Sequence, residues 1–121
     1  RKYYEIYAVS VGRIISFETD KRYILMTTTE GEERFRATME QIEEQVRHHG
    51  FLKINQAVIL NMEYIRQFHK DRIQMSNGKI YYTSRSYQKE AQKIYGLGTG
   101  YGNSRIFDYQ YIQSVFNISV L

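Results

Sequence analysis

The stretch Phe51-Leu-Lys-Ile-Asn-Gln-Ala-Val-Ile-Leu-Asn-Met-Glu-Tyr-Ile65 shows the pattern on which the chain is built. Short runs of β-branched and large apolar residues predict strands at 52–54, 57–60 and 64–68. The polar pair Asn55-Gln56 separates the first two runs. An apolar frame runs through all three strands and consists of Phe51, Ile54, Val58, Leu60 and Ile65.

Similar runs lie on both sides of this stretch and predict a chain that is mainly β. The predicted strands are 4–11, 13–17, 23–28, 34–37, 72–75 and 79–83. Thr29-Glu30-Gly31-Glu32 supplies a glycine for one hairpin turn, and Ser76-Asn77-Gly78 supplies the Asn-Gly pair for another. Asn and Gly tolerate the positive φ that tight hairpin turns require. The strands are therefore expected to pair as antiparallel hairpins.

Two short helices interrupt the strands. The first begins at Thr38, whose hydroxyl can cap the helix while Gln41 reaches back, and it ends at Gly50. The second is expected to run from Ser84, as its cap, to Tyr95 and to stop at Gly96. Both carry apolar residues at helical spacing: Met39, Ile42 and Val46 in the first, and Tyr87, Ala91 and Ile94 in the second.

The character of the chain changes after the second helix. Residues 1–95 are predicted to form one domain, and the glycine-rich residues 96–104 a flexible linker. Residues 105–121 form an apolar tail with one Arg and one Asp. Phe107, Tyr111, Val115 and Ile118 would share one helical face, whereas 117–121 is equally compatible with a strand. An added element, an oligomerisation segment and non-native sequence all remain open for this tail.

Composition argues against several classes of protein. A chain of 121 residues can bury a core without disulfides, and it has no cysteine, which suits a reducing cytoplasm. No apolar run approaches the roughly 20 residues that cross a bilayer. The histidines, His48, His49 and His69, do not suggest a metal site, and we expect no catalytic residue, metal or cofactor. The chain begins with Arg1, as expected of a piece of a longer protein.

Charge is separated along the sequence. The formal net charge is +4, yet residues 30–44 hold six carboxylates against two arginines. Residues 51–93 hold eight lysines and arginines against three carboxylates. A basic face directed at a polyanion requires such a separation, although an uneven solvated surface would also show it.

The quoted stretch, taken with its surroundings, resembles the central signature of LytTR domains. An aromatic residue, a basic residue and a polar pair lead into an apolar strand that ends in Asn61, followed by Glu63-Tyr64-Ile65. A Glu-rich capped helix lies upstream, and an Asn-Gly hairpin and a final helix lie downstream. The resemblance covers residues 12 to 95. It implies an elongated arrangement of small antiparallel sheets with two short α-helices, which binds DNA as the output domain of a bacterial transcription regulator.

The resemblance also implies where the DNA contacts lie and who the partners are. In this family loops reach the grooves of double-stranded DNA, and three loops here match. The expected DNA-binding residues are Lys21, Arg22, Lys53, Asn55, Gln56, Arg85, Ser86 and Lys89. Arg22 and Arg85 are the expected base readers, and the lysines are expected phosphate contacts. A dimer on paired or repeated sites, an upstream receiver or sensor domain of a two-component system, and a cytoplasmic location are implied as well.

The sequence departs from the family pattern at two of these loops. The family's polar pair and following serine are replaced by Asn55-Gln56-Ala57, and the arginine of the final helix stands at Arg85 rather than at Ser86. A shift of one residue turns a helical side chain by about 100°. These departures and the apolar tail favour a second hypothesis, in which the fold serves as a protein-interaction module with weak or no DNA binding.

Overall fold

The computed structural model describes the backbone of residues 5–99 and 115–120 and the side chains of residues 9–96. It contains ten strands: β1 (Glu5–Ser10), β2 (Ile14–Asp20), β3 (Tyr23–Thr28), β4 (Gly31–Arg36), β5 (Phe51–Asn55), β6 (Val58–Asn61), β7 (Ile65–Phe68), β8 (Arg72–Met75), β9 (Ile80–Tyr82) and β10 (Val115–Val120). The helices are α1 (Met39–Val46) and α2 (Arg85–Thr99). The predicted mainly-β fold of small antiparallel sheets with two helices is confirmed.

The strands form three antiparallel sheets. The largest has five strands in the order β4-β3-β2-β6-β5, and a second has the order β7-β8-β9. β1 pairs with β10 in the third. A strand at 115–120 agrees with the strand interpretation of the tail and not with the helical one in that stretch. The remainder of the tail and most of the expected linker lie outside the described residues.

The five-stranded sheet is covered on both faces, and this explains its sequence. One face packs against α1 through a core that includes Phe17, Ile42 and Ile59. The other packs against the three-stranded sheet and α2 through Leu60, Ile73 and Ala91. Neighbouring residues of β6 therefore enter opposite cores, and all four of its residues are buried. Burial on both faces produces a continuous apolar run instead of an alternating one.

Local signals in the sequence form as expected at α1 and at the second hairpin. Thr38 Oγ1 accepts from the Gln41 N–H at 3.1 Å, and Gln41 Oε1 accepts from the Thr38 N–H at 2.9 Å, which completes the capping box. At the hairpin Gly78 takes a φ of +92°, while Asn77 keeps a negative φ and accepts from the Lys79 N–H. Of the Asn-Gly pair, only Gly78 therefore adopts a positive φ in this turn.

The predicted end of the second helix is wrong, because α2 continues through Gly96 to Thr99. α2 thus includes both Gly96 and Gly98, each of which costs a helix only about 1 kcal/mol relative to alanine. In the turn just before Gly96, Ile94 and Tyr95 pack on the core between the five-stranded sheet and α2. The Tyr95 ring also stacks on Phe68, with centroids 4.5 Å apart. This packing holds the helix together past the position at which sequence signals predict its end. Neither α2 nor α1 is long and apolar enough to cross a membrane.

Candidate nucleic-acid interface

The turn between β2 and β3 presents Lys21 and Arg22 to solvent. Asp20 pairs with Tyr23 at the end of the ladder, so Lys21 and Arg22 alone form the loop. Arg34 from the neighbouring β4 stiffens its base: the Nε lies 3.2 Å from Asp20 Oδ2, and the guanidinium lies over the Tyr23 ring. Asp20 is therefore engaged with Arg34, and Lys21 and Arg22 form no ion pair with any described residue.

The turn between β5 and β6 lies beside the β2–β3 turn. The Thr19 N–H, one residue before Asp20, donates to the Ala57 carbonyl at 2.9 Å. Gln56 is exposed at the tip of the turn. Asn55 instead has a structural part: its Oδ1 accepts from the Ala57 N–H at 2.7 Å, and its Nδ2 donates to the Tyr82 carbonyl at 2.8 Å. The amide of Asn55 thus fixes the turn to the end of β9.

The start of α2 joins the same end of the molecule. The Ser84 N–H donates to the Ile54 carbonyl of β5 at 3.0 Å. Arg85 and Ser86 follow at once in the exposed first turn of the helix, and Lys89 lies one turn further along. The hydroxyl of Ser84 makes no hydrogen bond with any described residue, so the expected side-chain cap is not formed. The Tyr87 N–H bonds to the Ser84 carbonyl instead, at 2.8 Å.

These contacts bring the three predicted loops together, although they are distant in sequence. The β5–β6 turn lies between the other two, since it is bonded to β2 through Ala57 and adjoins α2 through Ile54. The exposed cations of the three loops form no ion pair within the described part of the chain: they are Lys21, Arg22, Arg85 and Lys89. Uncompensated cations close to one another are what a polyanionic backbone requires.

Lys53 is the predicted site residue that the structure places elsewhere. Its side chain is only 16% exposed, and its Nζ lies 3.5 Å from Glu43 Oε1 of α1. Lys53 pairs with Ile59 in the middle of β5, away from the turn. Strand alternation directs Lys53 toward α1, and sequence reasoning could not foresee that Glu43 would lie above it. Its charge is engaged within the fold rather than offered at the loops.

The structure also adds a turn that sequence reasoning missed. The segment between β7 and β8 lies beside the start of α2, because the Thr83 N–H donates to the Asp71 carbonyl at 3.0 Å. It carries Lys70, and Arg72 follows it as the first residue of β8; both side chains are exposed. The available signal was a basic tetrapeptide, His69-Lys-Asp-Arg72, but such a run carries no motif and is often ordinary solvated surface.

A cluster behind the loops fixes the three-stranded sheet to the five-stranded one. Tyr81 Oη donates to Glu18 Oε2 at 2.7 Å, and Lys79 Nζ lies 3.1 Å from the same oxygen. Burial raises the pKa of Tyr81, and the negative charge of Glu18 raises it further. Burial acts to lower the pKa of Lys79, but the hydrogen bond to Glu18 and nearby negative charge outweigh it and raise that pKa. At neutral pH the Tyr81 phenol therefore stays neutral and the Lys79 ammonium stays charged.

No group of three or more histidine, aspartate or glutamate side chains with metal-site geometry exists among the described residues. Among the described residues, the exposed side chains of these loops are basic, amide and hydroxyl groups: Lys21, Arg22, Gln56, Arg85, Ser86 and Lys89.

Comparison with known proteins agrees with the fold. The family model of the LytTr DNA-binding domain matches residues 4–96. Among solved structures, the LytTr DNA-binding domain of a putative methyl-accepting/DNA response regulator from Bacillus cereus is similar, with a TM-score of 0.65 and 18% sequence identity. The alignment covers 71% of this chain and 84% of that one. No curated protein matches.

The class defined by this fold and its basic loops is a DNA-binding domain that acts in transcription regulation. The chain belongs to the LytTR DNA-binding domain family.

Proposed function

We propose that this domain reads double-stranded DNA sequence-specifically by inserting three loops into its grooves, as the output domain of a bacterial response regulator. The observation that carries the proposal is the juxtaposition of the β2–β3 turn, the β5–β6 turn and the start of α2. The exposed cations of these loops have no ion pair among the described residues.

The roles divide by side-chain chemistry and position. Arg22 and Arg85 contact the bases, because a guanidinium can bind guanine through two hydrogen bonds. Gln56 can do the same for adenine from the central turn. Lys21 and Lys89 contact phosphates, and Ser86 lies in the first turn of α2, where free N–H groups favour an anion. Lys53 and Asn55 support the fold and are left out of the contact set.

The proposal extends to assembly. Two copies on paired or repeated sites, and a receiver or sensor domain preceding this domain, are what the family resemblance implies. Selection from random DNA supplies a motif, and titration of DNA carrying one or two copies of that motif tests the paired arrangement when the mass of the protein–DNA complex is measured. Binding as one copy per motif without any gain from the second motif would argue against it.

The experiment for the main proposal is selection from random double-stranded DNA, followed by affinity measurements at three salt concentrations. We expect an enriched motif and an affinity that falls steeply with salt. Arg22→Ala and Arg85→Ala should each lose about 1–3 kcal/mol of discrimination between the motif and a mismatched site. Lys89→Ala should weaken binding to all sequences alike. It should also reduce the salt slope, which is the slope of log affinity against log salt concentration, by about 0.9 in magnitude.

Arg13→Ala is the matched control, because Arg13 is exposed and lies at the opposite end of β2, where it pairs with Glu30. Equal effects of Arg85→Ala and Lys89→Ala on discrimination would contradict the division of roles. Absence of binding even at low salt would favour the protein-interaction module instead.

A further inference from the structure

The turn between β7 and β8 is positioned as a neighbour of the DNA-reading loops. The His69 N–H donates to the Arg72 carbonyl at 2.9 Å and closes the turn. The Asp71 carbonyl accepts from the Thr83 N–H at 3.0 Å, two residues before Arg85. Backbone hydrogen bonds therefore hold this turn beside the first turn of α2, without dependence on long side chains.

The turn carries positive charge that the fold leaves available. Lys70 is exposed and has no ion pair within the described part of the chain. The Arg72 side chain is 47% exposed, and its nearest carboxylate is Asp71 at 3.6 Å, which is itself 66% exposed. Exposed pairs of this kind contribute little and exchange readily with a stronger anion. The turn therefore offers two cations against one carboxylate.

An exposed aromatic residue continues the same surface. Tyr82 lies directly opposite Arg72 in the ladder between β8 and β9, so the two side chains share one face of the three-stranded sheet. This is the face turned away from the core, and Tyr82 is 66% exposed on it. The Tyr82 carbonyl is the acceptor for Asn55. The backbone of Tyr82 is thus held where the β5–β6 turn and α2 meet, and its side chain is exposed there.

We propose that Lys70, Arg72 and Tyr82 form a fourth DNA contact, which binds the phosphates next to the base pairs read by the start of α2. Lysine, arginine and tyrosine are common phosphate contacts. The proposal rests on the proposed function, since it extends the same interface. These three residues contribute affinity and fix the position of the domain along the DNA. They add no sequence preference, because phosphates carry no base identity.

The test compares Lys70→Gln/Arg72→Gln with Arg13→Gln/Arg47→Gln, two exposed arginines that pair with glutamates and lie away from the loops. Both double variants remove two charges. The affinity for the selected motif is measured over a range of salt, on a duplex ending at the motif and on one extended by a helical turn on each side.

We expect the wild-type protein to gain affinity from the extended duplex and Lys70→Gln/Arg72→Gln to lose that gain. The salt slope of this variant should fall by about 1.8, because each phosphate that the protein no longer neutralises lowers the slope by about 0.9. The decrease in affinity should be the same for the motif and for unrelated sequences. Tyr82→Ala should weaken binding several-fold without changing the slope, because its side chain is uncharged.

Two outcomes separate the inference from the function on which it rests. If the wild-type protein binds the motif and the Lys70/Arg72 variant keeps its slope and affinity, the fourth contact is overturned and the three-loop proposal stands. If both double variants show the same decrease in slope, the effect reflects total charge and the fourth contact is again overturned. If the wild-type protein shows no salt-dependent binding, the proposed function itself fails.

Discussion

At the scale of single residues, position in the fold decides what a polar side chain can do. Asn61 is buried, donates to the Ile14 carbonyl and accepts from the Glu63 N–H, so its conspicuous place in the sequence has a structural cause. Asn55 has a similar part at the other end of β6. Lys21 differs from both, because no contact within the described residues fixes its side chain while its backbone takes a φ of +60°.

The conformation of Lys21 predicts a separation of stability from binding. A residue other than glycine in the left-handed region costs about 1–3 kcal/mol. Lys21→Gly should therefore leave the free energy of unfolding unchanged or raise it by up to about 1 kcal/mol, since relief of strain offsets the entropy of glycine. DNA affinity should fall at the same time. Urea unfolding and DNA titration measure the two effects.

Arg22→Gly is the control for that prediction, because Lys21 is the only described non-glycine residue with a positive φ. Glycine at position 22 should lower stability by about 0.5–1 kcal/mol. Equal destabilisation by the two substitutions would show that the φ of Lys21 carries no strain.

At the scale of elements, the ends of the helices follow local chemistry at one place and packing at another. The start of α1 is set by the reciprocal capping of Thr38 and Gln41. α2 continues past Gly96 to Thr99, and Ile94 and Tyr95 pack on the core in the turn just before that glycine. α2 also packs against β5, the edge strand of the five-stranded sheet.

The capping box predicts the effect of substitutions at Thr38. Thr38→Ala removes the acceptor for the Gln41 N–H and should lower the free energy of unfolding by about 1 kcal/mol. Thr38→Ser keeps the hydroxyl and should retain most of the stability. Chemical denaturation of the three proteins provides the measurement. A decrease of the same size in the serine variant would assign the effect to the methyl group and not to the cap.

At the scale of the whole molecule, two cores and one polar cluster hold the sheets in a fixed relation. The five-stranded sheet separates the cores, and Glu18, Lys79 and Tyr81 join it to the three-stranded sheet. This relation places the start of α2 beside the β5–β6 turn, and the interface depends on it.

Tyr81→Phe tests that connection, with Tyr82→Phe as a control from the next position of the same strand. Tyr81 is buried and bonded to a carboxylate, so removal of its hydroxyl should lower the free energy of unfolding by about 1–3 kcal/mol. Tyr82 is exposed, and its variant should stay within about 0.5 kcal/mol of the wild type. Indistinguishable unfolding curves for the two variants would mean that the cluster does not stabilise the packing of the sheets.

The sequence by itself determined the strands, the capped start of α1, the Asn-Gly hairpin and the family, because these depend on local hydrogen bonds, periodicity and residue order. It also placed Arg22 in a turn and Arg85 at the start of the second helix. Tertiary structure alone decided which cations stay available: Glu43 engages Lys53, whereas no carboxylate of the described residues engages Arg85. It alone brought the β7–β8 turn to the start of α2. Both outcomes depend on contacts between residues far apart in the chain, and no local sequence pattern encodes such contacts.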